Sequence, residues 1–146
     1  MSGNHSNGGG APSYRLDDQV GFILRRASQR HLSIFASRIG DLTPTQFASL
    51  AKMCEVGPIS QNELGRRTAM DGATIKGVID RLRKRGLAKT RPDKDDLRRV
   101  FVEPTSEGEK LFRDCVEEAL QITDDTLAPL SSSEQARFLV LLNKLT

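Results

Sequence analysis

The sequence predicts a mainly α-helical chain with one small β-hairpin, organised as a single folded domain behind a short tail. Three observations carry this. Apolar residues recur at helical spacing through most of the chain after the first dozen residues. Helix-capping residues precede these runs at Thr43, Ser60, Asp71, Thr105 and Ser131. One stretch, 87–103, changes to short β-type runs on either side of a polar turn.

The 146 residues, 37% hydrophobic and 28% charged, suit one globular domain with a real core. No apolar run approaches the roughly 18 residues that span a membrane, and the N-terminus lacks a secretory layout. A cytoplasmic protein with no membrane partner is expected. Cys54 and Cys115 are too few for a disulfide framework, and no paired spacing suggests a zinc site. His31 is the only histidine outside the N-terminal tail, which holds His5. With no nucleophile–base pair, metal cluster or phosphate loop, neither catalytic residues, metal nor cofactor are expected, and the chain reads as a non-enzyme.

Residues 1–13 are rich in Gly, Ser and Asn and read as a disordered tail. The folded part is 14–146. A helix is expected from Asp17 to Ile39, with Val20, Ile23, Leu24, Ala27, Ile34 and Phe35 on its apolar stripe. Gly40 ends it. Thr43-Pro44-Thr45-Gln46 opens a second helix, which buries Phe47, Leu50, Ala51 and Cys54 and stops at Gly57-Pro58. Ser60-Gln61-Asn62-Glu63 reads as a capping box for a short helix to Thr68. After the turn at Met70-Asp71-Gly72, Asp71 caps a helix to Gly86, with Ile75, Val78, Ile79 and Leu82 inward. Strands are expected at 87–91 and 99–103, around the charged turn at 92–96. Thr105 caps a long helix to Leu127, Pro129 breaks it, and Ser131 to Glu134 opens the last one.

Charge is unevenly placed along this order. Ser60 to Val102 holds twelve Lys/Arg against six Asp/Glu, a balance of +6 inside a chain of net +3. A basic middle third suits a polyanion, and the plain alternative is an Arg-rich solvated face. The helix from Asp71 offers the groove of double-stranded DNA small and polar outward residues. These are Gly72, Ala73, Thr74, Lys76 and Gly77, with Arg81 placed for the phosphate backbone. The hairpin tip holds Lys94, Arg98 and Arg99; an arginine there can reach the minor groove, and Asp96 can hold an arginine extended. Two helices joined by a tight turn, the second of them the reading helix, and then a basic hairpin together describe a winged helix-turn-helix.

The run Asp71-Gly-Ala-Thr-Ile-Lys-Gly-Val-Ile-Asp-Arg-Leu-Arg-Lys-Arg-Gly-Leu carries a family resemblance. So do Arg91-Pro-Asp-Lys-Asp-Asp-Leu-Arg-Arg-Val-Phe-Val, Thr105-Ser-Glu-Gly and the upstream segments at 42–50 and 59–65. In order and spacing they resemble the MarR family of bacterial transcription regulators. The resemblance implies a homodimer through helices in 14–40 and 105–146, with a DNA-binding lobe at 43–103 and its wing at 88–103. It also implies a palindromic operator, since a two-fold dimer presents two reading helices. The family's Asp-x-Arg wing motif falls on Asp96 and Arg98, with Leu97 where many members carry a basic residue. Repression relieved by a small aromatic acid is the expected behaviour.

His31 and Arg38 fall on nearly one face of the first helix. A buried cation needs a partner. Two partners stay open: a ligand carboxylate, with Phe35, Phe47 and Met53 walling the ring, or acids and carbonyls across the dimer interface. Redox sensing through Cys54 or Cys115 and a winged helix used for protein contact are the alternatives to ligand-responsive DNA binding.

Overall fold

The computed structural model describes Gly3 and residues 11–146, so the tail expected over 1–13 lies mostly outside the described residues. A 3-10 turn at Leu16–Asp18 precedes α1 (Val20–Arg38) and α2 (Pro44–Val56). A two-residue strand β1 (Ile59–Ser60) leads into α3 (Gln61–Arg67) and α4 (Gly72–Lys84). The hairpin strands β2 (Ala88–Pro92) and β3 (Val100–Pro104) follow, then α5 (Ser106–Leu127) and α6 (Ser132–Asn143). The fold is mainly helical with a small antiparallel sheet, the winged helix-turn-helix arrangement.

Capping chemistry sets the starts. Thr43 and Ser131 make full capping boxes with Gln46 and Glu134. Asp71 accepts from the Thr74 amide at 2.7 Å. At Ser60 only half of the expected box forms. The Ser60 hydroxyl takes the Glu63 amide, but the Glu63 carboxylate turns to Arg66 and Arg67. Two guanidiniums one turn along the helix compete better for a carboxylate than one backbone amide. The first helix also begins later than Asp17, because Gln19 is extended between the 3-10 turn and α1.

The sheet has three strands, not the two of a hairpin. Its order is β1-β3-β2, with Ile59 opposite Val102 and Ser60 opposite Phe101. A two-residue strand is too short for any periodicity to reveal. Leu50, Met53, Leu64, Ile75, Ile79 and Leu82 are fully buried with Val102, placing the core between α2, α3, α4 and the sheet. Phe35 and Ile39 at the end of α1, and Ile122 on α5, extend it.

Close approach explains two glycines. A Cβ at Gly65 would sit 3.1 Å from Ile75 Cγ2 and from the Met70 carbonyl, so glycine lets α3 and α4 meet at the turn. A Cβ at Gly108 would overlap the Leu87 carbonyl oxygen. That contact joins the start of α5 to the end of the reading helix. Thr105 strengthens it, donating its hydroxyl to the Gly86 carbonyl at 2.6 Å and accepting from the Gly108 amide at 3.1 Å.

The apolar stripe expected along α1 is buried within the chain only at its C-terminal end. Val20, Ile23 and Leu24 are exposed, and α6 buries none of its residues despite Phe138, Leu139, Val140 and Leu141. Leu24, Phe138 and Leu139 border an open groove between α1, α5 and α6 and remain exposed in it. Among the described residues no helix is long and apolar enough to cross a membrane.

Candidate nucleic-acid interface

The reading helix is built as amphipathicity demands. Ile75, Val78, Ile79 and Leu82 lie in the core, while Gly72, Ala73, Thr74, Lys76 and Arg81 are exposed and Gly77 is half-buried. Arg81 lies back along the helix, with Nη1 3.5 Å from where a Gly77 Cβ would be. Lys76 donates to Asp80 at 3.0 Å, which holds the Asp80 carboxyl below its usual range. Lys76 is therefore restrained along the helix axis. Arg85, at the helix end, donates to the Asp41 carbonyl and lies 3.4 Å from the buried Gln46. These bonds tie the reading helix to the connection between α1 and α2.

The wing is organised by its acids. Asp93 is buried and accepts the Asp95 amide at 2.8 Å, and Arg99 lies 3.6 Å from it. Asp96 accepts both the amide and the guanidinium of Arg98, at 3.0 and 3.2 Å. Arg98 holds the Asp96 carboxyl below the usual carboxylate range. The expected pairing of an acid with a wing arginine is thus present, and Arg98 and Arg99 are each held by one acid while their side chains stay exposed. Lys94 is exposed, and so is Leu97. Arg91 stacks 5.1 Å from the Phe101 ring directly across the ladder, stiffening the stem.

The five residues expected around a ligand separate into two groups. Phe35 and Phe47 meet edge to face at 6.2 Å, and Phe47 also packs on Phe112 at 5.7 Å. Met53 is fully buried in the core. Arg38 instead faces α5, donating to Asp125 at 2.6 Å and Glu118 at 3.0 Å. Both bonds, that to Asp125 foremost, raise its pKa. His31 Nδ1 lies 3.0 Å from the Thr126 hydroxyl, and Arg30 donates to the Asp125 and Thr126 carbonyls. The partners of His31 and Arg38 are therefore in the same chain. His31 also opens on an apolar groove between α1, the end of α5 and α6.

Sequence reasoning missed Glu118 and Asp125, although they stand two helical turns apart and so share a face. Cys54 and Cys115 are half-buried, and desolvation pushes both thiols above their ordinary pKa. No cluster of three or more His, Cys, Asp or Glu residues able to hold a metal occurs among the described residues.

An apolar-backed helix with a small-residue outer face, followed by an anchored basic hairpin, defines a winged helix-turn-helix DNA-binding protein. Comparison with known proteins gives the family. The MarR family model matches residues 40–99. The HTH-type transcriptional repressor NicR of Pseudomonas putida is 40% identical over 134 residues, covering 90% of this chain and 85% of its own. The crystal structure of a probable transcriptional regulator from Pseudomonas aeruginosa superposes with a TM-score of 0.87 at 50% identity, covering 90% of this chain and 100% of that one. Bordetella bronchiseptica BpsR, solved to explain how 6-hydroxynicotinic acid regulates its DNA binding, has a TM-score of 0.87 at 38% identity. That match covers 91% of this chain and 96% of BpsR. The chain belongs to the MarR family and is a transcription regulator.

Proposed function

We propose that this regulator is a homodimeric repressor that binds a palindromic operator and is released by a small aromatic carboxylate. The observation that carries the DNA-binding part is the outer face of α4. Gly72, Ala73, Thr74, Lys76 and Gly77 would meet base edges, with Arg81 on the backbone and Lys94, Arg98 and Arg99 on the wing. Asp96 would position Arg98. Repression is supported by the likeness to NicR, and an aromatic acid by the likeness to BpsR.

The second copy is supported by the uncovered apolar faces of α1 and α6. A face carrying Val20, Ile23, Leu24, Phe138 and Leu139 is costly to leave in water and suits an isologous interface. For the ligand, Arg38 is the proposed carboxylate partner, beside His31; of the expected ring contacts Phe35 and Met53 lie in the core, which leaves the half-buried Phe47 as the one open to a ring. Arg38 is occupied by Asp125 and Glu118, so an incoming carboxylate must displace or join them.

Fluorescence anisotropy with duplexes from the DNA flanking the gene tests this reading. Tight binding to one palindromic duplex, reversed by 6-hydroxynicotinic acid or a related aromatic carboxylate, is expected. Binding that ignores every such acid would overturn the ligand part. Equal affinity for every duplex would overturn the operator part.

A further inference from the structure

Between α3 and the base of the wing lies a recess of about 270 Å³, lined by Ser60, Gln61, Asn62, Arg66, Arg98, Arg99 and Val100. It exists because of β1. The pairing of Ser60 with Phe101 brings the start of the short helix α3 against the point where β3 leaves the wing. Three arginines and no acidic residue line it. Each arginine is held from outside the recess by one carboxylate: Arg66 by Glu63, Arg98 by Asp96 and Arg99 by Asp93. The side chains nonetheless stay 69%, 92% and 57% exposed. Nη1 of Arg66 and of Arg98 has no hydrogen-bond partner among the described residues. Preset guanidiniums with spare donors around a polar hollow are the arrangement that a tetrahedral oxyanion demands.

We propose that this recess is a phosphate site, and that its occupant is one backbone phosphate of the bound duplex, clamped between Arg66 on α3 and Arg98 and Arg99 on the wing. The proposal rests on the reading of the chain as DNA-binding, and it adds Arg66 to the contacts read from the sequence. Arg98 belongs both to the recess and to the wing motif, so the clamped phosphate is continuous with the wing contact. A phosphate contact carries no base information. The site therefore sets register and orientation, and leaves sequence choice to α4 and the wing tip.

The test compares wild type with Arg66→Gln and Arg66→Lys in binding to operator and scrambled duplexes between about 50 and 200 mM salt. Arg66 is exposed, so unchanged thermal melting is expected and shows that the fold survives. Arg66→Gln should weaken binding to both duplexes by the same factor and lower the slope of log affinity against log salt by about one. Arg66→Lys should keep the slope, since the charge remains. A free phosphate offers the same chemistry, so inorganic phosphate is titrated at fixed ionic strength while the arginine Nε resonances are followed. Shifts only at tens of millimolar phosphate, beside the changed slope, support the duplex as occupant. Saturation well below millimolar with an unchanged slope would make free phosphate the occupant and overturn the proposal. An unchanged slope with operator preference intact would overturn this site alone. Failure of wild type to bind any duplex would overturn the proposed function and the site with it.

Discussion

At the scale of single residues, acids do much of the positioning. Asp96 pins Arg98, and its carboxyl lies below the usual range in the folded chain. A depressed folded value means that its contribution is complete above the unfolded value near about 4, and is lost as pH falls through the lower folded value. The share of operator affinity owed to Asp96 should therefore be flat from about pH 6 to about pH 8. Asp96→Asn should lower that affinity by about tenfold across the same range, measured by anisotropy, because Arg98 loses its charged anchor. A variant as tight as wild type would show that the wing needs no such pin. Arg38 is the second test at this scale. Arg38→Ala should weaken an aromatic carboxylate by about tenfold or more in calorimetry, while equal affinities would remove Arg38 from the site. Residue types and spacing made the Asp96–Arg98 pair legible in the sequence. The partners of Arg38 were not, because spacing along α1 says nothing about which face of α5 lies opposite.

At the scale of elements, α5 links the two ends of the molecule. Its 22 residues span about 33 Å. Its start is stitched to the end of the reading helix through Thr105, Gly108, Gly86 and Leu87. Its last turns are held by Arg30, His31 and Arg38 of α1. The same helix therefore contacts α1 at one end and the turn after α4 at the other. Thr105→Ala should cost about 1–2 kcal/mol in chemical denaturation, through loss of the cap and of the bond to Gly86. Gly108→Ala should cost about 3 kcal/mol, since the new methyl overlaps the Leu87 carbonyl and the junction must open. A neutral Gly108→Ala would show that the two helices are not locked there. Helix starts were readable because caps and apolar periodicity are local. The strand β1 and the half-made box at Ser60 were not, since each depends on a partner distant in sequence or on competition for Glu63.

For the whole molecule, apolar surface outruns what one chain can cover. The exposed apolar faces of α1 and α6 are where the proposed second copy would sit. Phe138→Glu places a charge on that face and should shift sedimentation from dimer to monomer. The same variant should reduce operator affinity by about a hundredfold or more, since one reading helix then binds without its twin. A monomeric wild type would contradict the two-fold arrangement itself. The order of elements was legible in the sequence, but what would cover the outer helices was not, because a single chain shows only an exposed apolar stripe there. The central claim is that α4 and the wing read duplex DNA, and salt-dependent affinity tests it most directly. Binding to a palindromic duplex from the flanking DNA should fall steeply between about 50 and 200 mM salt, and should exceed binding to a scrambled duplex by about a thousandfold or more. Affinity indifferent both to salt and to DNA sequence would contradict it.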